Sequence, residues 1–271
     1  MLFRSGTLLE AYAPEGSGEI LEPILQSTAR FLTRLESFLG PFPYSRYATV
    51  LLPEFPAGGM ENASVSFLEE TIAEDYVVAH ELAHQWFGQA VGWKNYHEQW
   101  LSEGVAQYFA ALYARDRRGE NALRDVLRQF RKWALEDSDQ GPIYLGYRLG
   151  HIKNETRVFR AVVYNKGAAV LHMLRRLIGD EAFFGGLKRF YTDHRFRKAG
   201  TDDLREAMEA ASGRDLTRFF ERWVYDSGIP RVRYSTSVEG QELVVSVEQA
   251  GEVFDLPITF AVTYKIGRAH V

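Results

Sequence analysis

The sequence predicts an α+β fold, mostly α. A helical domain with a small β-sheet edge covers residues 1–228, and the start of a β-domain covers 229–265. Three observations predict this. Apolar residues recur at helical spacing in one segment after another as far as Tyr225. Only two short segments in that stretch read as strands. After Ser227-Gly228-Ile229-Pro230 the hydrophobic period drops to two.

Glu19 to Leu39 aligns Ile20, Leu21, Ile24, Leu25, Phe31, Leu32, Leu35, Phe38 and Leu39 along a helix that Gly40-Pro41 stops. Arg46–Leu52 reads as a strand, and Ser64–Leu68 reads as another after a turn at Gly58-Gly59. A helix is expected over Glu74–Gln89, a second over Glu98–Arg117 and a third over Asn121–Leu135. Gly141 to Asn154 is glycine-rich and reads as a loop near the site. Helices follow at Phe159–Ile178 and Glu181–His194, split by Gly179-Asp180. Thr201 or Asp202 is expected to cap the next helix, and Leu216–Tyr225 forms the last one. Val232–Val238 and Leu243–Val247 alternate around Glu239-Gly240-Gln241 as a hairpin would, and Ile258–Thr263 is expected as a third strand.

At 271 residues, 46% hydrophobic and 25% charged, the chain is globular and long enough to bury a sizeable core. A net charge of -4 gives no electrostatic footprint for nucleic acid. The absence of cysteine excludes disulfides and thiolate ligands but leaves the compartment open, cytoplasmic or exported. No apolar run is long enough for a membrane span. Ile266-Gly267-Arg268-Ala269-His270-Val271 resembles the translation of a common sequencing adapter and is set aside as a scar, with a natural polar tail as the alternative.

One motif carries chemistry. His80-Glu81-Leu82-Ala83-His84 is H-E-x-x-H, and Glu103 follows with 18 residues between it and His84. Chance produces the pentad in about one chain of this composition in sixty, and a glutamate at one preset later position lowers that about elevenfold. On a helix His80 and His84 lie one turn apart on one face, so two imidazoles can hold one zinc ion. Glu103 from a second helix supplies a carboxylate and leaves a fourth position open. Glu81 stands about 100° round the helix, beside the metal, where a general base belongs.

His80–Gly88 reads HELAHQWFG, Gly58–Asn62 GGMEN, Trp100–Gly104 WLSEG and Tyr164–Leu174 YNKGAAVLHML. In this order the motifs resemble those of the aminopeptidase N family, zinc gluzincins that include the leukotriene hydrolase. The resemblance runs from Tyr12 to about Asp226. Departures are Ser102 for the usual Asn, Gly59 for Ala, and the segment Trp93–Gln99. The resemblance implies a thermolysin-like catalytic domain, one Zn²⁺, and peptide substrates with a free N-terminus. It implies that Tyr164 donates to the oxyanion and that Glu61, within Gly58, Gly59, Met60, Glu61 and Asn62, binds the α-amine. It also implies that N-terminal and C-terminal domains are missing and that the chain is a truncated piece.

The expected function is therefore a zinc aminopeptidase with Glu81 as general base. A zinc endopeptidase, an epoxide-hydrolysing relative and a non-catalytic scaffold are the alternatives. On periodicity alone Tyr164 reads as a packed core tyrosine, and the GGMEN pentad as a glycine turn with a solvated acid. Gln107, one turn beyond Glu103, is either a surface residue or an orienting partner for a ligand. The resemblance puts Lys166 near the site. His97, His151, His172 and His194 read as core or surface histidines.

Overall fold

Pro23 in the first turn and Gly40 past the last turn bound the longest amphipathic helix of the N-terminal third, α1 (Leu21–Leu39), in a computed structural model that describes residues 6–56, 58–146 and 156–263. Ile24, Phe31, Leu32, Leu35 and Leu39 are its buried apolar stripe. That stripe packs on a four-stranded sheet of order β1-β2-β4-β3, made of β1 (Leu8–Tyr12), β2 (Arg46–Leu52), β3 (Gly59–Asn62) and β4 (Val65–Glu69). β1, β2 and β4 run parallel, and β3 is an antiparallel edge strand with Glu61 opposite Ser66. Leu9 and Tyr47, paired in register, belong to the main core. Leu51 and Leu68 join Ile24 and Val78 in a second, smaller cluster.

The helices that follow are α2 (Asp75–Ala83), α3 (Trp100–Arg118) and α4 (Glu120–Glu136). After them come α5 (Thr156–Phe159), a π-helical turn at Arg160–Lys166, α6 (Gly167–Ile178), α7 (Asp180–His194) and α8 (Thr201–Ser212). α9 (Thr217–Phe220) runs into a second π-helical turn, Glu221–Tyr225. α3 is the central helix, buried from Trp100 to Ala114 except at Gln107. It lies against α6 where Gly104 meets Gly167. A Cβ on either glycine would stand 3.2 Å from the other's backbone, closer than side chains ordinarily pack, so the pair of glycines favours the close approach. Described helices account for most of the chain, and none is long and apolar enough to cross a membrane.

Several expectations are corrected. The metal helix ends at Ala83, not Gln89. Gln85 and Trp86 form tight bonds to Leu82 O and Ala83 O, both 3.1 Å, and Gly88 at φ 124° turns the chain away. The strand expected from Ser64 starts at Val65, because Ser64 sits at φ 66° in the preceding turn. Gly59 begins β3, and only Gly58, at φ 77°, is in the turn. β1 and a parallel pair, β5 (Val91–Trp93) with β6 (Arg197–Ala199), were not anticipated. Gly200, not Thr201 or Asp202, caps α8, its N–H donating to Asp203 Oδ2 at 2.6 Å.

The hairpin forms as expected, β7 (Arg231–Glu239) with β8 (Glu242–Ala250). The third strand does not. Phe254 packs on Trp223, whose Nε1 donates to Asp255 O at 3.1 Å, and Arg218 pairs with Asp255. These contacts draw the chain back to α9 instead of along β8, and Pro257 offers no backbone donor to a ladder. Of the loop expected over Gly141–Asn154, Ile143–Leu145 forms a short 3-10 turn. Residues 147–155, with His151, and residues 264–271, with the six-residue scar, lie outside the described residues.

Candidate metal centre

Although α2 is short, His80 and His84 remain on one face, because His84 N–H still bonds to His80 O at 3.4 Å. Glu103 reaches them from the first turn of α3. Its Oε2 lies 3.4 Å from His80 Nε2 and 3.3 Å from His84 Nε2, and the two Nε2 atoms are 3.1 Å apart. A tetrahedral ion with ligands at 2.0–2.1 Å requires ligand–ligand edges of about 3.3 Å. The three atoms therefore stand at nearly the spacing a zinc-sized ion demands. Glu103 Oε2, the carboxylate atom facing both histidines, is buried without a hydrogen-bond partner, as befits a group facing a cation. The residues present fit the metal.

The electrostatics show how tightly the three groups are coupled. Burial pushes the His80 imidazole down, towards the neutral form a ligand needs. Burial also opposes charge on His84, but Glu103 overrides it and raises the group to about 10. Burial favours a neutral Glu103, yet the two histidines hold it well below the ordinary carboxylate range. The carboxylate is thus kept ionised wherever a positive charge shares the site. Glu81 differs. It is buried with Oε2 unpartnered, and burial raises it to about 8. A carboxyl tuned this high is suited to exchanging protons near neutrality.

Ser102, noted in the sequence only as a departure, sits behind the second histidine. It is buried, with Oγ 2.8 Å from His84 Nδ1 and donating to Phe87 O at 2.9 Å. Gln85 and Gln89 were also missed. Gln85 Nε2 donates to Asn62 O and Gln89 Nε2 to Glu61 O, both at 3.0 Å, while Gln85 Oε1 accepts from Ser64 N–H at 2.8 Å. The chain just past the H-E-x-x-H motif thus fixes the edge strand β3 relative to the histidines. Side chains whose only signal is proximity to a motif leave no other trace in a sequence.

A cavity of about 510 Å³ opens over this cluster. Gly58, Gly59 and Glu61 line it from the edge strand, with Glu61 Oε1 3.9 Å from His84 Nδ1. Met60 and Asn62 do not line it, and Met60 is 42% exposed. Tyr164, carried on the π-helical turn, lies in the wall with its ring parallel to His80 at 5.8 Å. Burial first, and then the neighbouring Glu103, raises its hydroxyl above the ordinary range, so it is a donor at neutral pH. Gln107 donates to Asn165 Oδ1 at 3.2 Å, and both residues line the cavity. Lys166 does not join this cavity and lines another. Among the remaining histidines, His172 accepts or donates with Tyr108 at 3.1 Å and His97 stacks on Tyr144.

The sequence profile of the peptidase family M1 domain matches residues 24–223. Aminopeptidase N of Lactococcus lactis subsp. lactis is 32% identical over 249 residues, covering 80% of this chain and 28% of that protein. Aminopeptidase M1 of Arabidopsis thaliana is 32% identical over 223 residues, covering 73% and 24%. The M1 zinc metallopeptidase from Deinococcus radiodurans superposes with a TM-score of 0.63 at 28% identity, covering 81% of this chain and 48% of that one. The chain spans about a quarter of the length of the curated relatives it matches and about half that of the solved chain.

Proposed function

This chain belongs to peptidase family M1, and from that membership we propose that it is the catalytic part of a zinc aminopeptidase, with His80, His84 and Glu103 holding one zinc ion. The observation that carries the reading is the convergence of those three side chains with Glu81 alongside, under a cavity rimmed by a strand edge. In this reading residues 1–228 form a thermolysin-like catalytic domain and the β7–β8 hairpin begins a β-domain.

Zinc held there supplies Lewis acidity, lowering the pKa of water and polarising a carbonyl. The protein's own residues do the rest. Glu81 takes the proton from the attacking water and returns it to the leaving amine, which accounts for a carboxyl raised to about 8. Tyr164 O–H donates to the oxyanion, a bond of the kind whose loss raises the barrier by about 3–4 kcal/mol. Glu61 pairs with the substrate's α-amine and so sets cleavage one residue from the N-terminus. Gly58 and Gly59 let the peptide backbone approach the free edge of β3, where it adds as a further strand.

The test combines zinc content with hydrolysis of a panel of aminoacyl chromogenic amides and their N-acetylated forms. Stoichiometric zinc, turnover of the free amines only, and a Glu81→Gln variant that keeps zinc but loses about 10²–10⁴ in kcat are expected. Equal turnover of acetylated substrates would replace the aminopeptidase with an endopeptidase. Full activity in Glu81→Gln would remove the general base.

A further inference from the structure

The cavity over the histidines is asymmetric in charge. Glu61 on β3, with Glu81 and Glu103 beside the histidines, puts three acids on its floor and on one wall. β3 leans on α2, whereas the facing wall is α4, with Gln129, Phe130 and Trp133, and the π-helical turn packed against α4. That turn opens with Arg160. Arg160 is the only lysine or arginine among the described residues that line the cavity.

Arg160 is exposed, so a ligand can reach it, and it stands four residues before Tyr164 on the same turn. Three residues earlier Arg157 pairs with Glu136 at 3.0 Å and with Asp137 at 3.6 Å, but no acid among the described residues pairs with Arg160. Its charge nevertheless acts on the site. Burial, Glu103 and Glu61 all raise the Tyr164 hydroxyl, and Arg160 opposes them. Tyr164 therefore lies in the field of the acid on one wall and of the cation on its own. A guanidinium presents its N–H donors as a planar fork that matches a carboxylate, and here no described acid occupies that fork.

We propose that Arg160 is a specificity-determining residue that binds a carboxylate carried by the peptide substrate. The inference rests on the aminopeptidase reading above: with the α-amine at Glu61 and the backbone along β3, the other side of the substrate faces Arg160. The carboxylate can belong to the first side chain, the second side chain or the C-terminus of a short peptide, and three matched pairs of substrates separate these sources. With X the N-terminal residue of the best chromogenic amide, the pairs are Glu- against Gln-p-nitroanilide, X-Glu amide against X-Gln amide, and X-Ala against X-Ala amide. In at least one pair kcat/KM should favour the acid by about fivefold or more. Arg160→Ala should bring that ratio to one or below, and Arg160→Glu should invert it. The same pairs, titrated calorimetrically into zinc-loaded Glu81→Gln with and without Arg160→Ala, should show the same preference in Kd, so the residue is read even without turnover. Preferential binding of the acids by a protein that cleaves none of the substrates would remove the aminopeptidase reading and leave Arg160 as a carboxylate site. Ratios near one in every pair, or a preference for the acid that survives Arg160→Ala, would overturn the proposal.

Discussion

Ser102 Oγ lies 2.8 Å from His84 Nδ1 and gives its own proton to Phe87 O, so Nδ1 of His84 carries a hydrogen and Nε2 is the nitrogen turned towards His80 and Glu103. One hydroxyl therefore holds Nδ1 as a donor and fixes the tilt of the ring. Ser102→Ala should leave the fold intact and lower zinc affinity about 10–100-fold, measured by competition with a chromophoric chelator. Unchanged affinity would mean that packing alone orients the ring.

Gly88 stands at φ 124°, and a Cβ there would overlap Ser102 Oγ. Gly88→Ala is expected to destabilise the protein by about 2 kcal/mol or more in urea denaturation, through backbone strain and displacement of the serine. It should also weaken zinc, since Ser102 moves with it.

The start of the Glu103 helix is tied to α8 through one threonine. Thr201 Oγ1 donates to Glu98 Oε2 at 2.6 Å and accepts from Trp100 Nε1 at 3.0 Å, all three residues being buried. Thr201→Val keeps the shape and deletes both bonds, at an expected cost of about 1–3 kcal/mol. Thr201→Ser should cost far less. Equal losses in the two variants would show that the methyl group, not the hydroxyl, matters.

Lys166 makes stability depend on pH with a definite sign. Its folded pKa, about 8, lies below the ordinary 10.5, so between these values the unfolded chain binds more protons than the folded one and stability rises with pH. Lys166→Met is expected to be more stable than the parent at pH 7 by about 1–3 kcal/mol, with the gap shrinking towards pH 10.5. A gap that stays constant across the range would show that the ammonium is not penalised.

Much of this was readable in advance where one periodicity governed a long segment. α1, α3, α4 and α7 emerged within a residue or two of their observed ends, because their apolar stripes leave little choice, whereas the single helix expected over Phe159–Ile178 is broken by the π-helical turn and α6 starts only at Gly167. The convergence of His80, His84 and Glu103 was also readable, since helical spacing fixes the first pair and the motif supplies the third. What escaped depends on contacts distant in sequence. β5 and β6 are three-residue strands that exist only because they find each other across a hundred residues. Ile258–Thr263 has a strand's composition, but Phe254 and Asp255 are held to Trp223 and Arg218, and that tertiary anchor wins over local preference. Ser102, Gln85 and Gln89 are ordinary polar residues whose importance comes from what folding puts beside them.

The π-helical turn at Arg160–Lys166 has a mechanical consequence. Tyr164 lines the cavity over the histidines and Lys166, two positions later, lines a groove on the other side of α4, since residues two apart on a helix face nearly opposite ways. Excising one residue from it would let the turn relax to a regular helix and would re-aim the side chains within the turn more than the helices that flank it. The two chambers therefore take one wall residue each from the same turn, and a deletion there would disturb both.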